Sequence, residues 1–280
     1  MEFALVPDPA AYADRVEPFL LADEVLHNLA LGIIANAGPD TVLALVERTG
    51  EGEGAVACAA VMVPPRNLVV SRSPTVGALA VLAHGLHDAG IALPGVVGPA
   101  AEALSFAGTW RGVALQPVHR RSAMQLYRAD AVRDPAHRAA GRVRAATRRD
   151  ADLVARWITA FNEEALPDAA HDPAAARRMA EDHIDRGYLW LWDDGEPVAM
   201  TAVGGSTRHG ARVYAVYTPP AHRRRGYAAT LVAEVTRQLL ASGKHWACLF
   251  ADMMNPTTNH IYQEIGYRPV AAFDDYRFGP

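Results

Sequence analysis

The sequence predicts an α+β (α/β) fold: a mixed central sheet flanked by helices, laid down twice along the chain. Three observations carry that expectation. Short alternating apolar runs, the strand pattern, are interleaved with longer stretches whose apolar residues recur every three or four positions, the helix pattern. The same element order can be read in both halves. In the second half a Pro219-Pro220 turn passes through an arginine-rich, glycine-containing turn straight into an amphipathic helix. The chain has 280 residues, half of them hydrophobic, enough for two domains of roughly 100–200 residues each. We place the boundary at 137/138, beside the Asp134-Pro135 turn and the run Arg138, Arg142, Arg144, Arg148 and Arg149, read as a solvated connector.

In the first domain, residues 1–137, a helical stretch spans about 11–37. Strands are expected at 42–48, 55–63 and 68–71, a helix at 74–89, a strand at 91–97, a helix at 99–107 and a strand at 122–128. The second domain, residues 138–280, opens with the alternating strand 142–146. A helix follows from Asp150, with Leu153, Val154, Trp157 and Ile158 on one face. A second helix is signalled by Asp172 as N-cap and Pro173 at the first helical position, where a missing N–H costs nothing. The Asp193-Asp194-Gly195 turn separates two strands, and a third, 212–217, feeds the arginine turn. A helix to Ala241, a strand at 246–251, a helix at 256–265 and a final strand to Phe278 complete the order βααβββαβαβ.

Two runs carry the chemistry. Arg223-Arg224-Arg225-Gly226-Tyr227-Ala228 enters a helix N-terminus, where unpaired N–H groups and the positive end of the dipole favour a phosphate. Gly226 lets backbone approach the anion, and the arginines add charge and forked donors. In the second run, Asn255, Asn259 and Tyr262 stand at i, i+4 and i+7, stacking two amides and a phenol on one helical face. Such a face can hydrogen-bond a polar linker and donate a proton.

With these motifs in this order, residues 141–280 resemble the GNAT-fold N-acetyltransferases, whose pyrophosphate turn follows Arg/Gln-x-x-Gly-x-Gly/Ala. The resemblance implies a GNAT-like sheet and acetyl-CoA as acyl donor. It implies that backbone groups of Val216, Tyr217 and Thr218 flank the pantetheine, that residues 223–228 and Asn255 hold the donor, and that Tyr262 is the general acid. The first half reads as a degenerate GNAT-like sister domain: its corresponding turn, 70–77, lacks the arginine spacing, and its later helix lacks the Asn and Tyr pair.

The expected reaction is direct acyl transfer to a primary amine within a ternary complex. An alkyl amine, pKa about 10, arrives protonated and needs a base. The third strand holds no carboxylate, so Glu163, Glu164 and His171, in an acidic helix connection, are the candidates for base or acceptor contact. The rival class is an acyl-CoA-binding module without catalysis.

No Walker loop, dinucleotide fingerprint, His-Glu-x-x-His or Gly-x-Ser-x-Gly is present, which removes the usual signals of ATPases, dinucleotide oxidoreductases, zinc proteases and serine hydrolases. No metal is expected, since His84 and His87 have no evident further ligands. Cys58 and Cys248 read as buried thiols. A net charge of -4 gives no support for nucleic-acid binding. With neither an apolar span nor a signal segment, a cytoplasmic monomer or homodimer is expected.

Overall fold

The computed structural model describes residues 1–50, 54–165 and 172–279. In chain order its elements are β1 (Glu2–Leu5), α1 (Pro9–Leu21), α2 (Asn28–Ile34), β2 (Val42–Glu47), β3 (Val56–Met62), β4 (Leu68–Val70), α3 (Ala78–Asp88), β5 (Gly95–Pro99), α4 (Ala100–Ala114) and β6 (Val118–Ala129). They continue with β7 (Arg142–Ala145), α5 (Ala151–Ala165), α6 (Pro173–Asp185), β8 (Leu189–Asp193), β9 (Pro197–Gly204), β10 (Gly210–Tyr217), α7 (Tyr227–Ala241), β11 (Trp246–Asp252), α8 (Pro256–Glu264) and β12 (Arg268–Phe278). No helix among the described residues is long and apolar enough to cross a membrane.

The chain forms two compact units. One comprises Met1–Leu126, Phe250–Pro256 and Pro269–Pro280; the other comprises Tyr127–Leu249 and Thr257–Arg268. In the first unit, strands run in the order β1-β2-β3-β4-β5-β12. The last strand of the chain pairs antiparallel with β5, from Phe273 opposite Pro99 to Arg277 opposite Gly95. Strand β2 shows the two-residue period at work. Leu43 and Leu45 face Tyr12, Val16 and Leu20 of α1, while Ala44 and Val46 face the cluster holding Leu82 and Leu86 of α3 and Phe106 of α4.

Two details of this unit depart from the sequence expectation. The single helix at 11–37 is two helices, and His27 stands at the break. Its Nδ1 lies 2.9 Å from the Leu20 carbonyl, and its Nε2 accepts the Arg72 N–H at 3.2 Å. Strand β1, absent from the sequence reading, pairs with β2 over four residues.

In the second unit the order is β11-β10-β9-β8-β7. Helices α5 and α6 cover one face through Val154, Trp157, Ile158, Ala180 and Ile184, which meet Leu189, Leu191, Met200 and Tyr217. Asp172 caps α6, accepting the Ala174 N–H at 2.8 Å, as its position before Pro173 predicts. The start of α5 is stiffer than expected. A one-turn 3-10 helix (Arg148–Asp150) precedes it, with Thr147 and Asp150 capping each other, and Arg144 grips Asp150 with two donors at 2.8 Å.

Candidate active site

Strand β10 is interrupted where chemistry was expected. It pairs with β9 from Arg212 opposite Gly204 to Tyr214 opposite Ala202, then resumes with Tyr217 opposite Met200. Ala215 and Val216 therefore stand against the single residue Thr201, a β-bulge, and Ala215 takes φ +50° to make it. On its other side β10 pairs in parallel with β11, from Gly210 opposite Trp246 to Arg212 opposite Cys248. The Thr218 Oγ1 is buried without a hydrogen-bond partner among the described residues. A buried hydroxyl left in this state costs roughly 1–3 kcal/mol, so it fits a polar ligand group at the strand end.

The arginine turn follows directly. Arg224 and Gly226 both have left-handed backbone, φ +63° and +78°, and Gly226 is the N-cap of α7 with no side chain bonded to the helix end. Uncapped N–H groups at a helix end can receive an anion. The turn is anchored from below: Thr230 Oγ1 donates to the Gly226 carbonyl at 2.9 Å and accepts the Ala139 N–H at 3.0 Å. The Tyr227 hydroxyl donates to Asp194 at 2.6 Å, and Ala228, next along the helix, is half-buried. Arg224 and Arg225 are exposed. Arg223 is engaged: its Nη2 meets both Glu164 carboxylate oxygens at 2.6 and 2.8 Å, its Nε donates to the Thr218 carbonyl at 2.9 Å, and the guanidinium lies 5.8 Å from the Tyr217 ring centre.

On α8, Asn259 and Tyr262 do share a face, and that face is turned to Tyr127. The Tyr127 hydroxyl donates to Asn259 Oδ1 at 2.8 Å, and its ring centre is 6.4 Å from that of Tyr262. Tyr262 is buried, and burial pushes its phenol up to about 12. Asn255 stands just before α8 in an exposed stretch of the first unit, its backbone N–H bonded to Asp252 O at 3.1 Å.

Of the expected bases, Glu163 and Glu164 are exposed in the last turn of α5, Glu164 held by Arg223; His171 lies outside the described residues. The Tyr217 phenol is raised above its ordinary range by burial and then by the Glu164 charge. Both cysteines are buried, their thiols pushed up to about 12, which leaves neither as a nucleophile. The sequence reading missed one pair. His183 of α6 places Nε2 2.5 Å from the Tyr214 hydroxyl of β10, next to the bulge. No local spacing links residues 183 and 214; only the two-residue alternation of β10 put Tyr214 on the face covered by α6.

The FR47-like protein family model matches residues 194–277, the segment from β9 through the bulge, the arginine turn and α8. A Drosophila protein of solved structure superposes with a TM-score of 0.70 at 12% identity, covering 99% of this chain and 98% of that one. A GCN5-related N-acetyltransferase from Sphaerobacter thermophilus gives 0.62 at 16% identity, covering 98% and 95%. A tandem GNAT protein from the clavulanic acid biosynthesis pathway gives 0.58 at 14% identity, covering 100% and 99%. No curated protein matches the sequence. The chain thus has the mixed α/β fold of tandem GNAT proteins over its whole length.

Proposed function

We propose that the protein is an acetyl-CoA-dependent N-acetyltransferase that moves the acetyl group directly to a primary amine in a ternary complex. The observation that carries the reading is the bulge at Ala215 and Val216, followed within a few residues by the buried Thr218 hydroxyl and the uncapped N-terminus of α7. A donor with a polar linker and a pyrophosphate matches that pair of features: strand-end backbone for the linker amides, helix-end N–H groups for the phosphates.

In this reading Val216, Tyr217 and the Thr218 hydroxyl hold the linker, and Gly226, Tyr227 and Ala228 present backbone N–H groups to the pyrophosphate. Arg224 and Arg225 supply charge, and Arg223 joins them on leaving Glu164. Asn255 is the amide contact expected from the family, and Asn259 steadies the same helix through Tyr127. A backbone N–H at the bulge meets the oxyanion. Tyr262 is protonated at neutral pH, yet a phenol at about 12 is a weaker acid than a thiol at about 8.5. Full proton transfer from the phenol even to a fully formed thiolate would run uphill by roughly 5 kcal/mol. Its role is to donate a hydrogen bond that strengthens on the departing sulfur as thiolate charge develops.

Residues 138–280 are the proposed catalytic domain and 1–137 a sister domain without donor machinery. In the latter, Gly77 is also a left-handed N-cap, but the turn before it offers its Ser73 N–H to the Glu102 carboxylate at 3.4 Å. A carboxylate beside the turn is unfavourable for a pyrophosphate.

The test is to incubate the protein with acetyl-CoA and a panel of alkyl amines, amino acids, aminoglycosides and peptide N-termini, titrating free thiol and weighing the products. Amine-dependent thiol release with matching acetylated product supports the assignment. Binding of CoA without turnover on any amine would instead favour an acyl-CoA-binding module.

A further inference from the structure

We propose that Tyr214 and His183 form the proton-accepting pair of the transfer, the Tyr214 oxygen meeting the acceptor amine and His183 storing the proton; this rests on the acetyltransferase reading above. Position is the first argument. Tyr214 directly precedes the bulge residue Ala215, and the bulge brings Tyr214 and Tyr217 to the same face of β10. Tyr217 packs into the α5–α6 cluster and Tyr214 reaches His183 on α6. The pair therefore borders the bulge of β10. The expected carboxylates offer less: Glu164 is held in two bonds by Arg223, and β10 carries no Asp or Glu.

Geometry and charge then set the direction of proton flow. His183 Nδ1 lies 3.5 Å from an Asp182 carboxylate oxygen. That negative charge favours the proton on Nδ1, which turns the Nε2 lone pair toward the Tyr214 O–H at 2.5 Å. Arg212 sits 5.8 Å from the Tyr214 ring centre, where its positive charge favours phenolate character as the proton leaves. Near the imidazole, among the described residues, stand also the Tyr188 ring, edge-on at 6.2 Å, and Arg186, which bonds Asp182 at 2.8 Å. Gly204 leaves the phenol its space. A Cβ there would fall 3.0 Å from Tyr214 Cε1 and 3.2 Å from its hydroxyl.

The step balances as follows. An ammonium N–H bond breaks as an O–H bond forms on Tyr214, while the Tyr214 hydroxyl proton passes to His183 Nε2. The freed lone pair attacks the thioester carbonyl carbon, and the C–S bond breaks with its electrons on sulfur. The remaining extra proton on nitrogen goes to that sulfur, and the imidazolium releases its proton to water. The sum is ammonium plus acetyl-CoA giving amide, CoA thiol and one proton.

The experiment compares wild type, Tyr214→Phe and His183→Gln, using acetyl-CoA with the fastest alkyl amine of the panel and with hydroxylamine, which is already deprotonated at neutral pH. We expect kcat for the alkyl amine to fall about 100-fold in both variants, with loss of the acid limb of the pH–rate profile. The KM for acetyl-CoA and the hydroxylamine rate should stay within about threefold of wild type. Nitrogen-15 NMR of wild-type imidazoles should show His183 as the Nδ1–H tautomer. Equal alkyl-amine kcat in variants and wild type, or an Nε2–H tautomer, overturns the pair while leaving the acetyltransferase reading intact. A wild type without turnover on any amine sinks both. Should a variant misfold, the wild-type NMR result still decides.

Discussion

Gly226→Ala tests how the arginine turn is built. Gly226 adopts φ +78°, and a Cβ there would meet the His137 carbonyl oxygen at 3.0 Å and its ring at 3.3 Å. Left-handed backbone costs an L-residue roughly 1–2 kcal/mol, and the approach to a backbone oxygen adds to it. A loss of about 2 kcal/mol corresponds to a Tm fall of about 4–8 °C for a unit of this size. Relief of the strain would rotate the N-terminus of α7, so the affinity for CoA should fall at least about tenfold, the equivalent of 1.4 kcal/mol. Calorimetric titration with CoA and thermal unfolding of the same preparation give both numbers. Unchanged affinity alongside a lowered Tm would refute the donor role of the turn; an unchanged Tm would refute the strain argument itself.

Glu164→Gln should release Arg223 toward the phosphates, tightening CoA binding by up to about fivefold at low salt. The stability change should stay below about 1 kcal/mol, because the pair is half-exposed and screened; weaker CoA binding would count against a phosphate role for Arg223. Tyr262→Phe should lower kcat about tenfold or more with little change in the KM for acetyl-CoA, as expected for a contact made mainly as the sulfur departs. Ultraviolet titration should find the Tyr262 phenol still protonated at pH 10, since burial holds it near 12. Arg144 holds the Asp150 carboxyl down to about 2. A depressed acid stabilises the fold above its unfolded pKa, and the contribution disappears as pH falls through the folded value. Denaturant unfolding should therefore show about 1–2 kcal/mol of acid lability between about pH 4 and 2, missing in Asp150→Asn.

Much of the second half was legible because its signals are local. Asp172 followed by Pro173 marks a helix start, Asp193-Asp194-Gly195 marks a turn, and Gly226 marks the left-handed entry to α7, each within a few residues. What escaped depends on distant partners. The bulge rests on Ala215, a residue with no sequence preference for φ +50°. The bond that occupies Asn259 comes from Tyr127, and the one that occupies Arg223 comes from Glu164 on another helix. The pairing of β12 with β5 joins strands far apart in the chain, so no window of sequence contains it. In the first half, the apolar residues on both sides of His27 continue one helical period, which concealed the break between α1 and α2.

The most direct test of the central claim is to follow backbone amide resonances as CoA is added. Binding at the proposed socket should shift the amides of residues 216–218 and 224–228 in proportion to occupancy, with the largest movement at Gly226 to Ala228. Saturable binding that leaves these amides unmoved and shifts others would contradict the account.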